Sequence, residues 1–188
     1  MPKTWSDTLE GHREAVRFAV MEAATALASE GGFHKVSMSD VAARAGITRA
    51  TLYKYFADVE AIFEESHQRI LERHLRHVQA MAEGDGDPLS RLTAIARFFA
   101  DMSFRHHGHR SAEVLHRKEH ARAAEERLLG LVERILAEGS EAGLFRRDIP
   151  ARELAVYLHG SLAGAHRLTD ELAVRRLVAL LLESIATR

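Results

Sequence analysis

The sequence predicts an all-α fold, on three observations. Alanine, leucine, glutamate and arginine dominate it, and all four favour helix. Apolar residues recur at helical spacing along almost the whole chain. Only three prolines are present, and the clearest breaks are glycine clusters. The 188 residues, 46% of them apolar, suffice for one large domain or two small ones.

A first helix is expected from near Ser6 or Thr8 to about Ser29, with Leu9, Val16, Val20, Ala23, Ala24 and Leu27 in period. Gly31 and Gly32 suit a left-handed cap at its end. Ser37 then caps a short helix, about Met38 to Ala45, with Asp40 as the shortened acid of a capping box. Gly46 permits a tight turn, and Thr48 caps a third helix, roughly Arg49 to Phe56. Asp58 caps a long fourth helix reaching about Glu83, where "EGDGDP" breaks the chain. A fifth helix covers about Pro88 to Phe104, followed by a second break at "RHHGHR". Further helices are expected over 111–119, 121–142, 151–168 and 169–186, with "AGLFRRDIP" as a turn.

The stretch "MSDVAARAGITRATLYKYF" carries the most chemistry. Small Ala42 lies four residues before Gly46, and Val41, Ile47 and Leu52 fall where a third helix would pack. That is a helix-turn-helix pattern. Leu52 and Phe56 share the inner face at i, i+4. The outer face presents Arg49, Ala50, Thr51, Tyr53, Lys54 and Tyr55, and residues 41–56 contain Arg44, Arg49 and Lys54 but no acid. The whole chain has a net charge of −1, so attraction to nucleic acid must come from a local patch. Thr48, Thr51 and the tyrosines can donate to phosphates, and Lys54 adds a point charge. Such contacts set register without reading sequence. Arg49 can bond a guanine edge twice, and Ala50 lets the backbone approach the groove, with its methyl near a thymine. The competing reading is a solvated polar surface.

"GGFHKVSMSDVAARAGITRATLYKYFADVEAIFEE" resembles the DNA-binding domain of TetR-type transcriptional regulators, densely from about Val16 to Glu65. Beyond residue 70 the resemblance rests on helix count, length and "AEGSEAGLFRRDIPARELAVYLHGSLAG". It implies an all-α homodimer with an N-terminal three-helix helix-turn-helix DNA-binding domain, residues 1–57 with the motif at about 37–56. A C-terminal helical ligand-binding and dimerisation domain, 58–188, would follow. The implied activity is that of a repressor, released from a palindromic operator by a small-molecule ligand. Positions matching the family's DNA contacts are Ser37, Thr48, Arg49, Thr51, Tyr53, Lys54 and Tyr55. A lysine common in the family at the start of the fourth helix is replaced here by Val59, which removes one expected phosphate contact.

In the C-terminal part, Phe98, Phe99 and Met102 on the fifth helix and Tyr157 further on are candidate pocket residues for an apolar or amphipathic effector. Ordinary core packing explains the phenylalanines equally. The last two helices are apolar on more than one side, which requires burial on more than one side. Gly160, Gly164, Leu177 and Leu181 are candidate dimer-interface residues, with packing inside one subunit as the alternative. His116 and His120, in a stretch that also holds His106, His107 and His109, have the i, i+4 spacing of metal ligands. Neighbouring Arg110, Arg117 and Lys118 disfavour a cation, so no metal and no cofactor is expected. No GxSxG, phosphate-binding glycine loop or carboxylate–histidine hydrolase motif is present, which argues against an enzyme. The absence of cysteine, of an apolar leader and of a membrane-length apolar run leads to the expectation of a cytoplasmic protein with no membrane partner.

Overall fold

The computed structural model describes residues 5–105 and 119–187. The helices are α1 (Trp5–Gly31), α2 (Met38–Arg44), α3 (Arg49–Tyr53), α4 (Val59–Glu83), α5 (Pro88–Arg105), α6 (Glu119–Glu141), α7 (Ala151–Ala163) and α8 (Glu171–Ile185). Two 3₁₀ turns, Phe33–Lys35 and Gly164–Arg167, complete the described elements. Among the described residues there is no β-strand; a single bridge pairs Phe145 with Ala186. Two compact units are present, Met1–Ile70 and Leu71–Arg188, and their division falls within α4.

In the first unit, α1 buries Val20, Met21, Ala23 and Ala24, and α2 buries Met38, Val41 and Ala42. Leu52 of α3 is fully buried, Phe56 is 4% exposed, and α4 adds Ile62 and Phe63. Burying side chains of this size stabilises by about 1.5–3 kcal/mol each. The amphipathic pattern thus places these short helices, since helices of five and seven residues have no stability of their own.

The expected caps are present. The Asp40 N–H donates to Ser37 Oγ at 3.2 Å, the Thr51 N–H to Thr48 Oγ1 at 3.1 Å, and the Ala61 N–H to Asp58 Oδ1 at 2.8 Å. The turn between α2 and α3 has a physical need for glycine. Gly46 has φ 70°, with its N–H donating to the Ala43 carbonyl at 3.3 Å and the Ile47 N–H to the Ala42 carbonyl at 3.0 Å. This crossed pair of bonds satisfies carbonyls at the end of α2 and requires a left-handed residue between them.

One expected cap differs. α1 continues through Gly31, and Gly32 adopts φ 88° with ψ 150°, outside the left-handed helical region. The chain turns into the Phe33–Lys35 turn instead, where the Phe33 ring lies 4.5 Å from that of Phe63. The Gly32 N–H still donates to the Ala28 carbonyl at 2.8 Å, and its positive φ turns the chain out of α1.

In the second unit, Leu92, Ile95, Ala96 and Ala100 of α5 pack with Leu128, Val132, Ile135 and Leu136 of α6, Leu154, Ala155, Leu158 and Leu162 of α7, and Val174, Val178, Leu181 and Ile185 of α8. Asp87 caps α5 through the Ser90 N–H at 2.7 Å, and Asp170 caps α8 through the Ala173 N–H at 2.8 Å. The helix expected over 151–168 is α7 followed by a 3₁₀ turn. Phe145, 1% exposed, closes over Gly139 of α6, and its bridge to Ala186 ties the turn after α6 to the end of α8.

Candidate nucleic-acid interface

The outer face of the α3 segment is open. Arg49, Ala50, Tyr53 and Lys54 are exposed, and Thr51 and Tyr55 are half-buried. The Arg49 guanidinium lies 5.9 Å from the centroid of the Tyr53 ring, one turn along the same face. Neither Arg49 nor Lys54 forms an ion pair among the described residues. Both cations therefore retain their full charge toward solvent, with Leu52 and Phe56 anchoring the segment from behind.

The hydroxyls are less free than spacing alone suggests. Thr48 Oγ1 and Thr51 Oγ1 are 2.9 Å apart, so one of their two protons is engaged between them and one remains for an external acceptor. Ser37 Oγ donates to Asp40 Oδ2 at 2.5 Å while accepting from the Asp40 backbone, so its only proton is already committed to a carboxylate. A phosphate at Ser37 would have to displace Asp40, which repels it.

Arg44, counted from sequence as part of the positive stretch, belongs elsewhere. It forks onto Glu30 of α1, with Nη1 at 2.9 and 3.0 Å from the two carboxylate oxygens. The free positive charge of the motif is thus confined to Arg49 and Lys54. Sequence reading also missed the network behind the motif. Arg17 Nε donates to Glu65 Oε1 at 2.9 Å, a second bond joins Arg17 Nη2 to Oε2, and Arg69 bonds both Glu65 at 3.0 Å and Glu14 at 2.8 Å. The hydrogen bonds from Arg17, then the charges of Arg17 and Arg69, hold the Glu65 carboxyl below the ordinary glutamate range despite its partial burial. Only the Glu65–Arg69 pair, at i, i+4, carried a sequence signal.

In the second unit, a cavity is lined by Leu92, Ile95, Ala96, Phe99, Leu128, Val132, Ala155, Leu158, His159 and Leu162. Its free space is about 20 Å³, enough for about one water molecule. Of the candidate pocket residues, Phe99 lines it. Phe98 turns instead to His74 and His77, with ring centroids 5.7 and 4.8 Å away, and Met102 is not among the lining residues. Tyr157 is 46% exposed on α7 and is not among the residues that line this cavity. The polar member that sequence reading missed is His159, whose ring meets Phe99 edge-on and whose Nδ1 is 3.4 Å from Glu125.

The dimer candidates also divide. Leu181 is 3% exposed and Leu177 packs partly against the core of its own unit, so Leu181 is corrected to an internal residue. A Cβ added at Gly160 or Gly164 would meet nothing within 4 Å, so neither glycine is required by packing in its own unit. The large exposed apolar side chains nearby are Val156 and Tyr157 on α7 and Leu172 and Leu180 on α8. His106, His107, His109 and His116 lie outside the described residues, and with them the His116/His120 spacing. No group of three or more metal-ligating side chains occurs among the described residues. No described helix is long and apolar enough to cross a membrane.

Residues 20–66 match the sequence model of bacterial regulatory proteins of the tetR family. The chain is 26% identical over 154 residues to the HTH-type transcriptional repressor KstR2 of Mycobacterium tuberculosis, spanning 76% of each protein. It is 35% identical over 85 residues to the HTH-type transcriptional regulator BetI of Yersinia pestis, 43% of this chain and 41% of that one. Its fold superposes on a TetR/AcrR-family regulator from Thermobifida fusca with a TM-score of 0.78 and 25% identity, over 88% of this chain and 96% of the other. FadR from Bacillus subtilis, solved with stearoyl-CoA, superposes with a TM-score of 0.70 at 17% identity, over 89% and 98%. With an open cationic face on a helix-turn-helix and these likenesses in sequence and fold, the chain is similar to DNA-binding transcriptional regulators of the TetR family, and its residues 20–66 carry that family's DNA-binding region.

Proposed function

We propose that the protein is a cytoplasmic repressor that binds a palindromic operator as a homodimer and is released from it by an apolar small molecule. The observation that carries the reading is the face of Arg49, Tyr53 and Lys54, open and without an acidic partner among the described residues. Arg49 reads a guanine edge in the major groove. Lys54, Tyr53, Tyr55 and the free proton of the Thr48–Thr51 pair hold phosphates. Ala50 allows close approach. Ser37 contributes only if its hydroxyl leaves Asp40. Residues 1–57 act as the DNA-binding domain and 58–188 as the effector-binding and dimerisation domain.

Dimerisation is supported by the exposed apolar side chains Val156, Tyr157, Leu172 and Leu180, with Gly160 among them, on two helices of one unit. Two copies present two α3 segments, which meet half-sites about one helical turn, roughly 34 Å, apart. The effector site is the cavity beside Phe99 and His159. Its lining is apolar apart from His159, so an uncharged or amphipathic molecule suits it. Its present space is too small for one, so α5, α6 and α7 must part on binding. Such a molecule displaces DNA only by binding the parted form more tightly than the closed one.

The test is selection of duplexes from a randomised pool by the purified protein, followed by Arg49→Ala and Lys54→Ala on the selected sequence. Arg49→Ala is expected to lose about 1–3 kcal/mol at one base pair and relax the preference there. Lys54→Ala is expected to weaken all duplexes alike and reduce the log–log salt slope by about 0.9. Equal loss on selected and random duplexes for Arg49→Ala would remove its base-reading role. Displacement of the selected duplex from the folded protein by members of a panel of apolar small molecules tests the effector reading.

A further inference from the structure

The network behind the recognition segment joins α1 to α4 at a point that also touches the end of α3. Arg17 uses both parts of its guanidinium. Its edge donates to both oxygens of Glu65, through Nε at 2.9 Å and through Nη2. Its face lies over the Phe56 ring, 4.8 Å from the centroid. Phe56 is 4% exposed, and its N–H donates to the Leu52 carbonyl at 3.0 Å, so the ring and the last turn of the recognition segment move together. The Glu65 carboxylate is held in turn by Arg69, which reaches back to Glu14 on α1, three residues before Arg17. The side chain of Arg17 is 30% exposed and that of Glu65 22% exposed, so this contact is screened less than an open surface pair.

We propose that Arg17 is a positioning residue for DNA reading, fixing the angle at which the α3 segment leaves the bundle by clamping Phe56 against Glu65 of α4. The role does not require Arg17 to touch DNA. A planar fork that bonds a carboxylate along its edge and stacks a ring on its face is an arginine property. A lysine ammonium can pair with the carboxylate but cannot do both. The geometry therefore explains an arginine here, where a solvated surface pair would accept either cation. The segment itself has few means of holding its angle. It is five residues long, and its only fully buried side chain is Leu52. Loss of the clamp leaves Leu52 in place and frees the turn that carries Tyr53, Lys54 and Tyr55.

The proposal rests on α3 as the reading element. Its test uses the full-length protein, a duplex selected by the wild type from a randomised pool, and an unselected duplex of equal length. Arg17→Met keeps the apolar stem and removes the fork. Arg17→Lys keeps the charge. Phe56→Leu keeps the burial and removes the ring. All are measured well below their melting midpoints. For each variant the expected result is a loss of about tenfold on the selected duplex, the size of one mismatched base pair, with affinity for the unselected duplex and the salt slope unchanged. Arg17→Lys is expected not to rescue, and Arg17→Met with Phe56→Leu together should lose little more than either alone.

Three results would overturn the proposal. Parallel weakening on both duplexes with a flatter salt slope would make Arg17 a phosphate contact. Unchanged affinity for both duplexes with a lowered melting point would make it a structural brace only. Full activity of Arg17→Lys would show that charge alone suffices. Arg49→Ala separates this failure from failure of the underlying reading. If it leaves the ratio of selected to unselected affinity intact, α3 is not the reader; if it lowers the ratio while Arg17→Met does not, only the positioning role falls.

Discussion

Replacing Gly139 with alanine adds one methyl group in the last turn of α6, within a helix whose interior favours alanine over glycine by about 1 kcal/mol. At this site the sign should reverse. A Cβ on residue 139 would stand 2.1 Å from Cδ2 and 2.2 Å from Cε2 of Phe145. Carbon atoms attract at about 3.5–4.0 Å, so the ring must retreat by about 1.4 Å. It has little room, being 1% exposed within the core of its unit. Its backbone is held on both sides, by the Arg146 N–H on the Ile185 carbonyl at 2.9 Å and the Thr187 N–H on the Leu144 carbonyl at 3.1 Å. Overpacking costs about 1–3 kcal/mol, and expelling the ring altogether about 3–5 kcal/mol. Subtracting a helix preference of at most about 1 kcal/mol leaves a net loss of about 0–2 kcal/mol if the ring shifts and about 2–4 kcal/mol if it is expelled, with each kcal/mol lowering the melting temperature by roughly 2–4 °C for a chain of this size. Gly130→Ala, on the same helix but with nothing within 4 Å of the added Cβ, is the control and should gain about 0.5–1 kcal/mol. Urea denaturation at fixed protein concentration reads both, since a dimer's apparent stability depends on concentration. An alanine at 139 that leaves the midpoint unchanged or raises it would refute the packing argument.

Further outcomes can be checked with the same protein. Thr48→Ala removes the cap of α3 and should destabilise the first unit by about 1 kcal/mol, read as faster hydrogen exchange at the Thr51 amide; Thr48→Ser should not. Leu180→Arg, at a position 63% exposed, should leave helicity unchanged but shift the sedimentation of the proposed dimer toward monomer and weaken binding to the selected duplex. An unaltered oligomer would move the interface off this face. Glu65, whose carboxyl is held down by Arg17 and Arg69, contributes stability that is present at neutral pH. That contribution is lost as pH falls below the ordinary glutamate range, below about 4. Glu65→Gln should therefore narrow its gap to the wild type under acid, and a gap independent of pH from 7 to about 3 would contradict the assignment.

Periodicity and capping chemistry were enough to place α2 and α4 within about a residue and α3 at its start, because those signals are local, while α3 ends at Tyr53, three residues before the expected Phe56. Ser37, Thr48 and Asp58 cap the helices that follow them, and Gly46 turns where a positive φ is needed. The same local logic identified Leu52 and Phe56 as the buried side of the recognition segment, and so its open side. What a side chain does at a distance was not legible. Arg44 and Arg49 look alike in the chain, yet one is neutralised by Glu30 and the other faces solvent. Arg17 and Glu65 are 48 residues apart, and no spacing rule joins them. Tyr157 and His159 stand two residues apart on α7 and Leu181 on α8, and only the packing of α5 to α8 sorted them into surface, cavity wall and core. Backbone bonds and caps act over a few residues and are written in the sequence, whereas charge pairing and burial depend on which surfaces the folded chain brings together.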